Sequence, residues 1–158
     1  MSERTPRVFV GSSSEAVHIS KYLQLELESA LDVEVTVWTQ GVFEAGVYTL
    51  ERLVEIADTT DFAVLVATPD DTVAKDDRSA RLVPRDNVIF ELGLFIGALG
   101  RHRTYIVADR TAGEVSLPSD LAGLTWLPYR RRSDGNESAA VNAVVLRLVE
   151  LIRKHGPR

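Results

Sequence analysis

One residue is set apart by its surroundings. Glu91 is the only ionisable group in Val88-Ile89-Phe90-Glu91-Leu92-Gly93-Leu94-Phe95-Ile96-Gly97-Ala98-Leu99. A run of this kind reads as a helix that is apolar almost all round, and such a helix is buried. A carboxylate there loses hydration, which disfavours its charged form. Acids are seldom buried without a partner. A capping box would account for the glutamate only with Ser, Thr, Asp or Asn three residues earlier, where Val88 stands. Two readings are open: an ion pair with Arg85, Arg81 or another arginine that holds a loop down, or a carboxylate in the first turns of a helix aimed into a crevice.

Gly11-Ser12-Ser13-Ser14 is the second candidate. Small residues between a strand and a helix N-terminus let a phosphate or ribose approach the backbone. The segment is neither G-x-G-x-x-G nor a Walker A, so dinucleotide and P-loop readings fit poorly. Ser12 and Glu15 also have capping-box spacing, which makes plain helix capping the competing account. Trp38 and Phe43 are aromatics suited to stacking on a base or nicotinamide ring, or simply core or interface residues. Arg130-Arg131-Arg132 reads as a solvated loop.

The composition removes other chemistries. The chain has 158 residues, no Cys, three scattered His (His18, His102, His155) and a formal net charge of -5. No disulfide, zinc-thiolate site, iron–sulfur cluster or thiol catalysis is available, and no metal-ligand spacing is visible. The acidic balance argues against direct nucleic-acid or anionic-membrane binding. The longest nearly apolar run, residues 88–99, falls short of the roughly 20 residues a membrane helix needs. Residues 1–6 hold no apolar run, so no signal segment is expected. The expectation is a cytoplasmic protein.

The elements that must position these residues alternate. Arg7–Gly11 is a buried strand, residues 14–30 a helix, and Val33–Trp38 a strand with one exposed face near a sheet edge. Leu50, Leu53, Val54 and Ala57 mark a second helix after the loop Gly41–Gly46. Asp61–Thr68 is nearly all apolar, as a central parallel strand should be. Asp70–Arg85 reads as a charged surface loop, and Asn87–Gly100 as the third helix. Thr104–Ala108 is a fourth strand, Leu117–Leu124 a short helix or turn, and Thr125–Tyr129 a fifth strand whose Pro128 suits an edge. Asp134-Gly135-Asn136 is a turn and cap before a last helix striped by Val141, Val145, Leu148 and Ile152. This order predicts an open parallel α/β sheet with strand order 2-1-3-4-5. Ligands in such sheets bind beyond the carboxyl ends of the strands. One domain over residues 1–158, with a core of about 7–155, is expected.

At Arg85-Asp86-Asn87-Val88-Ile89-Phe90-Glu91-Leu92-Gly93-Leu94-Phe95 the chain resembles the bacterial TIR-like predicted nucleotide-binding family. Val8-Phe9-Val10-Gly11-Ser12-Ser13-Ser14-Glu15 and residues 62–71 carry the same resemblance. This TIR type is fused to bacterial STING and to other cyclic-nucleotide sensors in anti-phage defence. The resemblance implies a flavodoxin-like TIR fold and cleavage of NAD as substrate, with no cofactor or metal. It puts the catalytic glutamate on Glu91. Gly11, Ser12 and Ser13 match the loop after the first strand, and Trp38 and Phe43 fall in the segment matching the BB loop. Arg85 and Asn87 match the polar residues before the catalytic helix, and Asp109 the end of the fourth strand. It further implies self-association, with a head-to-tail contact that makes an open filament if it does not close. A cyclic-nucleotide sensor, fused or separate and not read in this chain, is the implied partner.

The chemistry would break the nicotinamide–ribose bond. Nicotinamide leaves as a neutral group, so no general acid is needed, while the sugar becomes oxocarbenium-like. One carboxylate in a low-dielectric pocket can stabilise that cation. A nucleoside 2-deoxyribosyltransferase-like enzyme and a non-catalytic TIR scaffold are the alternatives, and fold alone does not separate them.

Overall fold

The computed structural model describes residues 4–38, 49–74 and 80–158. Five strands form a parallel sheet: β1 (Arg7–Ser12), β2 (Glu34–Trp38), β3 (Phe62–Ala67), β6 (Thr104–Asp109) and β7 (Thr125–Tyr129). Between β3 and β6 lie β4 (Asp71–Val73) and β5 (Arg81–Val83). The helices are α1 (Val17–Ala30), α2 (Thr49–Thr59), α3 (Asp86–Leu99) and α4 (Glu137–His155). The sheet runs β2-β1-β3-β6-β7, which is the 2-1-3-4-5 order predicted for five strands.

Strand periodicity sorts the core into two layers. Val8 and Val10 of β1, Phe62, Val64 and Val66 of β3, and Tyr105 and Val107 of β6 face α1 and α4. Phe9, Ala63, Leu65, Ala67, Ile106 and Ala108 face α2 and α3. A strand packed on both faces must be apolar at every position, and β3 is buried throughout. β2 and β7 are the edges, as the exposed alternate residues of β2 and the Pro128 of β7 require. Asn136 caps α4 by accepting from the Ala139 N–H at 2.9 Å, and Gly156 ends it at φ 62°. No described helix is long and apolar enough to cross a membrane.

Two local expectations give way and a third holds in its shortest form. The segment read as a surface loop contains the antiparallel β4–β5 hairpin, with Thr72 opposite Leu82. The short helix or turn expected over residues 117–124 is a 3-10 turn at Ser119–Leu121, too short to cover the sheet. Trp126 therefore stays partly exposed on β7. Finally, α3 is not buried all round: Phe90 is 54% exposed, and Gly93 and Gly97 share that outer stripe. An apolar sequence without charges marks no face as the solvent side, so the exposed stripe was invisible in the pattern.

The end of the sheet opposite the carboxyl termini is fastened by Asp61. It accepts from the Arg4 guanidinium at 2.6 Å and from the N–H groups of Arg7 and Arg158, each at 2.8 Å. Burial alone would raise its pKa, but these donors outweigh burial and hold it below the usual aspartate range. A group depressed on folding contributes stability that is complete above its unfolded value, about 3.9, and is lost as pH falls through the folded value. Asp61→Asn is expected to lower stability at neutral pH by about 2 kcal/mol and to reduce the acid-side loss. Denaturant melts at pH 7 and at progressively lower pH check both; an unchanged midpoint at pH 7 contradicts the assignment.

Candidate active site

The chain order reverses at β1, which lies between β2 and β3. The carboxyl ends of β1 and β3 therefore border the crevice in which open α/β sheets bind ligands. Gly11 occupies this end of β1, in register with Trp38 on β2 and Leu65 on β3. α3 follows β3 and packs over the same end.

Glu91 projects from α3 onto Gly11. A Cβ built at Gly11 would lie 2.9 Å from Glu91 Oε2, 2.8 Å from Phe9 Cε1 and 2.9 Å from Leu65 Cδ1. A residue with any side chain cannot hold this position without displacing a neighbour. The carboxylate is 1% exposed. Phe9 stacks on Phe95, one helical turn beyond Glu91, with centroids 4.3 Å apart. The glutamate thus lies against aromatic and aliphatic groups at the head of the sheet, where electrostatic forces are poorly screened.

Asn87 lies one turn before Glu91, so the two share a face of α3. Its Nδ2 is buried and has no hydrogen-bond partner among the described residues. Such a donor is costly to leave unmet. Ser12 and Ser13 are also buried, at 1% and 2% exposure. The capping box expected at Ser12 and Glu15 is not formed. Ser12 is the last residue of β1 and donates through Oγ to the Ser13 carbonyl at 2.9 Å. Glu15 instead accepts from Arg85 Nη2 at 2.6 Å.

Arg85 joins three segments. Besides Glu15 it meets Asp71 of the β4–β5 hairpin at 3.1 Å, while its backbone opens α3. Its own backbone N–H and the Arg85 guanidinium hold Glu15 below the usual glutamate range. Glu15 and Asp71 in turn raise Arg85. Arg85 thus fastens the β1–α1 loop and the hairpin to the start of α3.

Trp38 is 6% exposed and lies 6.1 Å from Phe9, ring centre to ring centre. The structure places it in the core layer under α2 and α3. Asp109 ends β6, two strands from β1, which is about 10 Å across a sheet. Its carboxylate accepts from the Thr111 N–H at 2.9 Å and the Thr111 hydroxyl at 2.5 Å, and pairs with Arg131 at 3.2 Å. It is committed to closing the β6 end. Phe43 and the Gly41–Gly46 loop lie outside the described residues. Thr68 and Asp70, hydrogen-bonded behind the β1–α1 loop, drew no sequence-based role. The turn signal of Pro69 and their place in the segment 62–71 that carries the family resemblance pointed there.

Two grooves lie on the outer flank. One of about 630 Å³ runs between the hairpin, Ile89 and Phe90 of α3, and residues 116–119. The other, about 520 Å³, lies beside Trp126 and Pro128 where the crossover helix is missing. Glu91 lines neither.

A doubly wound five-stranded sheet with a glutamate from the helix after β3 buried at its head is the architecture of a TIR-type domain. The family model described as "CAP12/Pycsar effector protein, TIR domain" matches residues 7–131, and the chain belongs to that family. It is 42% identical over 158 residues to Pycsar effector protein PaPycTIR of Pseudomonas aeruginosa, covering 99% of this chain and 50% of that protein. It is 48% identical over 124 residues to Pycsar effector protein BcPycTIR of Burkholderia cepacia, covering 78% and 40%. It is 36% identical over 146 residues to CD-NTase-associated protein 12 of Flavobacterium daejeonense, covering 92% and 45%. The chain spans about half the length of the curated relatives it matches. A diflavin flavoprotein A3 from Nostoc sp. superposes with a TM-score of 0.51 at 14% identity, covering 99% of this chain and all of that one. This places the fold among flavodoxin-like sheets.

Gly11→Ala tests the close approach. Overpacking of a tight core costs about 1–3 kcal/mol, and the crystal structure of the variant should show the Glu91 carboxylate displaced from β1. An unchanged melting midpoint would contradict the geometry.

Proposed function

We propose that this domain cleaves the nicotinamide–ribose bond of NAD, with Glu91 as the catalytic group. The observation that carries the reading is a carboxylate 1% exposed, set on a glycine at the switch point of the sheet. Departure of neutral nicotinamide leaves positive charge on the ribose. A carboxylate held in a dry, preorganised pocket stabilises that charge far more than one in water. Asn87, with an unmet donor on the same helical face, supplies an orienting hydrogen bond. Water captures the sugar to give ADP-ribose; attack by an adenine nitrogen instead gives a cyclic product.

Membership of the CAP12/Pycsar effector family supports a role as an effector in anti-phage defence, switched on by a cyclic-nucleotide signal. The names of the relatives, Pycsar effector and CD-NTase-associated protein, fit that assignment. The sensor would lie in the part of the longer relatives that this chain does not match. The setting is then the cytoplasm, where NAD is abundant.

Glu91→Gln keeps the volume and removes the charge. Nicotinamide release should fall by at least about a hundredfold in a variant that still folds, as read by its thermal melt. Wild-type activity in a folded Glu91→Gln protein would overturn the assignment.

The buried state of Glu91 in a single copy also supports activation by self-association. A rearrangement must admit NAD, and contact between copies is the source of free energy for it. Turnover per protomer should therefore rise with protein concentration in step with light scattering. Constant specific activity across a dilution series down to a monomeric sample would rule this out.

A further inference from the structure

Behind the β1–α1 loop lies a chain of hydroxyls whose proton order is fixed. The Asp70 N–H donates to the Thr68 carbonyl at 2.8 Å, closing a tight turn at Pro69. That turn brings the Asp70 carboxylate back onto Thr68, whose Oγ1 donates to Asp70 Oδ2 at 2.5 Å. A carboxylate only accepts, and a hydroxyl has one proton to give. With its proton committed to Asp70, Thr68 can only accept from Ser13 Oγ, 3.4 Å away. Ser13 is then left with lone pairs and no free proton. Ser12 reaches the same condition by donating to the Ser13 carbonyl. Ser12, Ser13 and Thr68 are all at least nine-tenths buried, and Asp70, which anchors the order, is half-buried.

We propose that Thr68 and Asp70 are positioning residues that make the side chains of the β1–α1 loop hydrogen-bond acceptors, selective for a hydroxyl or amide N–H of the substrate and not for its phosphates. The proposal rests on the NAD-cleaving reading. In NAD the donors beside the bond that breaks are the ribose hydroxyls and the carboxamide. A phosphate brings only acceptors and would meet lone pairs. A loop before a helix N-terminus ordinarily favours phosphate; here the serine protons are turned inward. Thr68 and Asp70 act only through Ser13, which sits two residues after the glycine that seats Glu91.

Thr68→Val removes the hydroxyl at nearly constant volume, and Thr68→Ser restores it. In the full chain, at a concentration where the wild type releases nicotinamide, Thr68→Val should raise KM for NAD about tenfold, the worth of one hydrogen bond. Its kcat should change little, and Thr68→Ser should return KM to the wild-type value. Equal KM for the two variants overturns the proposal. So does a fall in kcat and melting midpoint with KM unchanged, because that marks a structural role. Should Thr68→Val fail to fold, Asp70→Ala at a half-buried position is expected to give the same rise in KM, and an unchanged KM there overturns it.

Proton NMR gives a readout that does not depend on turnover. The Thr68 hydroxyl proton should be slow to exchange and shifted downfield by the carboxylate, and the signal should be lost in Asp70→Ala. Its absence in the wild type overturns the relay even where NAD is cleaved. Its presence in a wild-type protein that cleaves no NAD supports the relay and sinks the catalytic reading instead.

Discussion

The approach of α3 to the carboxyl end of β1 governs this molecule. A Cβ at residue 11 would lie 2.9 Å from Glu91 Oε2, so helix and strand can pack at this distance only because Gly11 has no side chain. Removing a carboxylate from water costs of the order of several kcal/mol. The fold bears that cost at a site where the sheet topology already opens a ligand crevice. A pure packing problem at this position would be solved by leucine, as Leu92 and Phe95 solve it on either side of the same helical face.

Holding the helix there takes the core layer beneath it and an ion-pair anchor at its start. Ala63, Ala67 and Ala108 keep the sheet shallow beneath α3, while Phe9 and Phe95 stack to set its height. Arg85 ties the start of the helix to the β1–α1 loop and to the hairpin. Each of these ion pairs is exposed, and exposed pairs contribute little stability. Their value is geometric: one guanidinium with a rigid fork fixes three chain segments relative to each other at the rim of the crevice.

Strand order, helix positions and the anomaly of Glu91 were legible in the sequence because each follows from periodicity. β3 reads as central from its unbroken apolar run, and β2 and β7 as edges from alternation and Pro128. What escaped was set by tertiary partners. The β4–β5 hairpin is a three-residue pairing inside a charged segment, below the length at which alternation shows. Ser12 and Glu15 have capping-box spacing, yet Arg85, 70 positions away in sequence, takes the glutamate. Trp38 carried no local mark to separate a stacking residue from a core residue; its distance to Phe9 places it in the core layer. Thr68 and Asp70 were unremarkable as types, and only the turn at Pro69 makes them neighbours of Ser13.

The same fold can present opposite chemistry from one loop. In open α/β sheets the turn after the first strand commonly offers N–H groups and a helix N-terminus to phosphate. Here the helix start is delayed by a 3-10 turn at Ser14–Ala16, and Ser13 at its head makes no side-chain cap. Its hydroxyl instead turns to Thr68, on the neighbouring strand end, and from there the proton order runs to Asp70. The carboxylate of Asp70, three residues beyond β3, thus reaches through Thr68 toward the loop on β1. Flavodoxin-like topology supplies the crevice, and Ser13, Thr68 and Asp70, which form no part of a dinucleotide fingerprint, turn the hydroxyls at its edge inward.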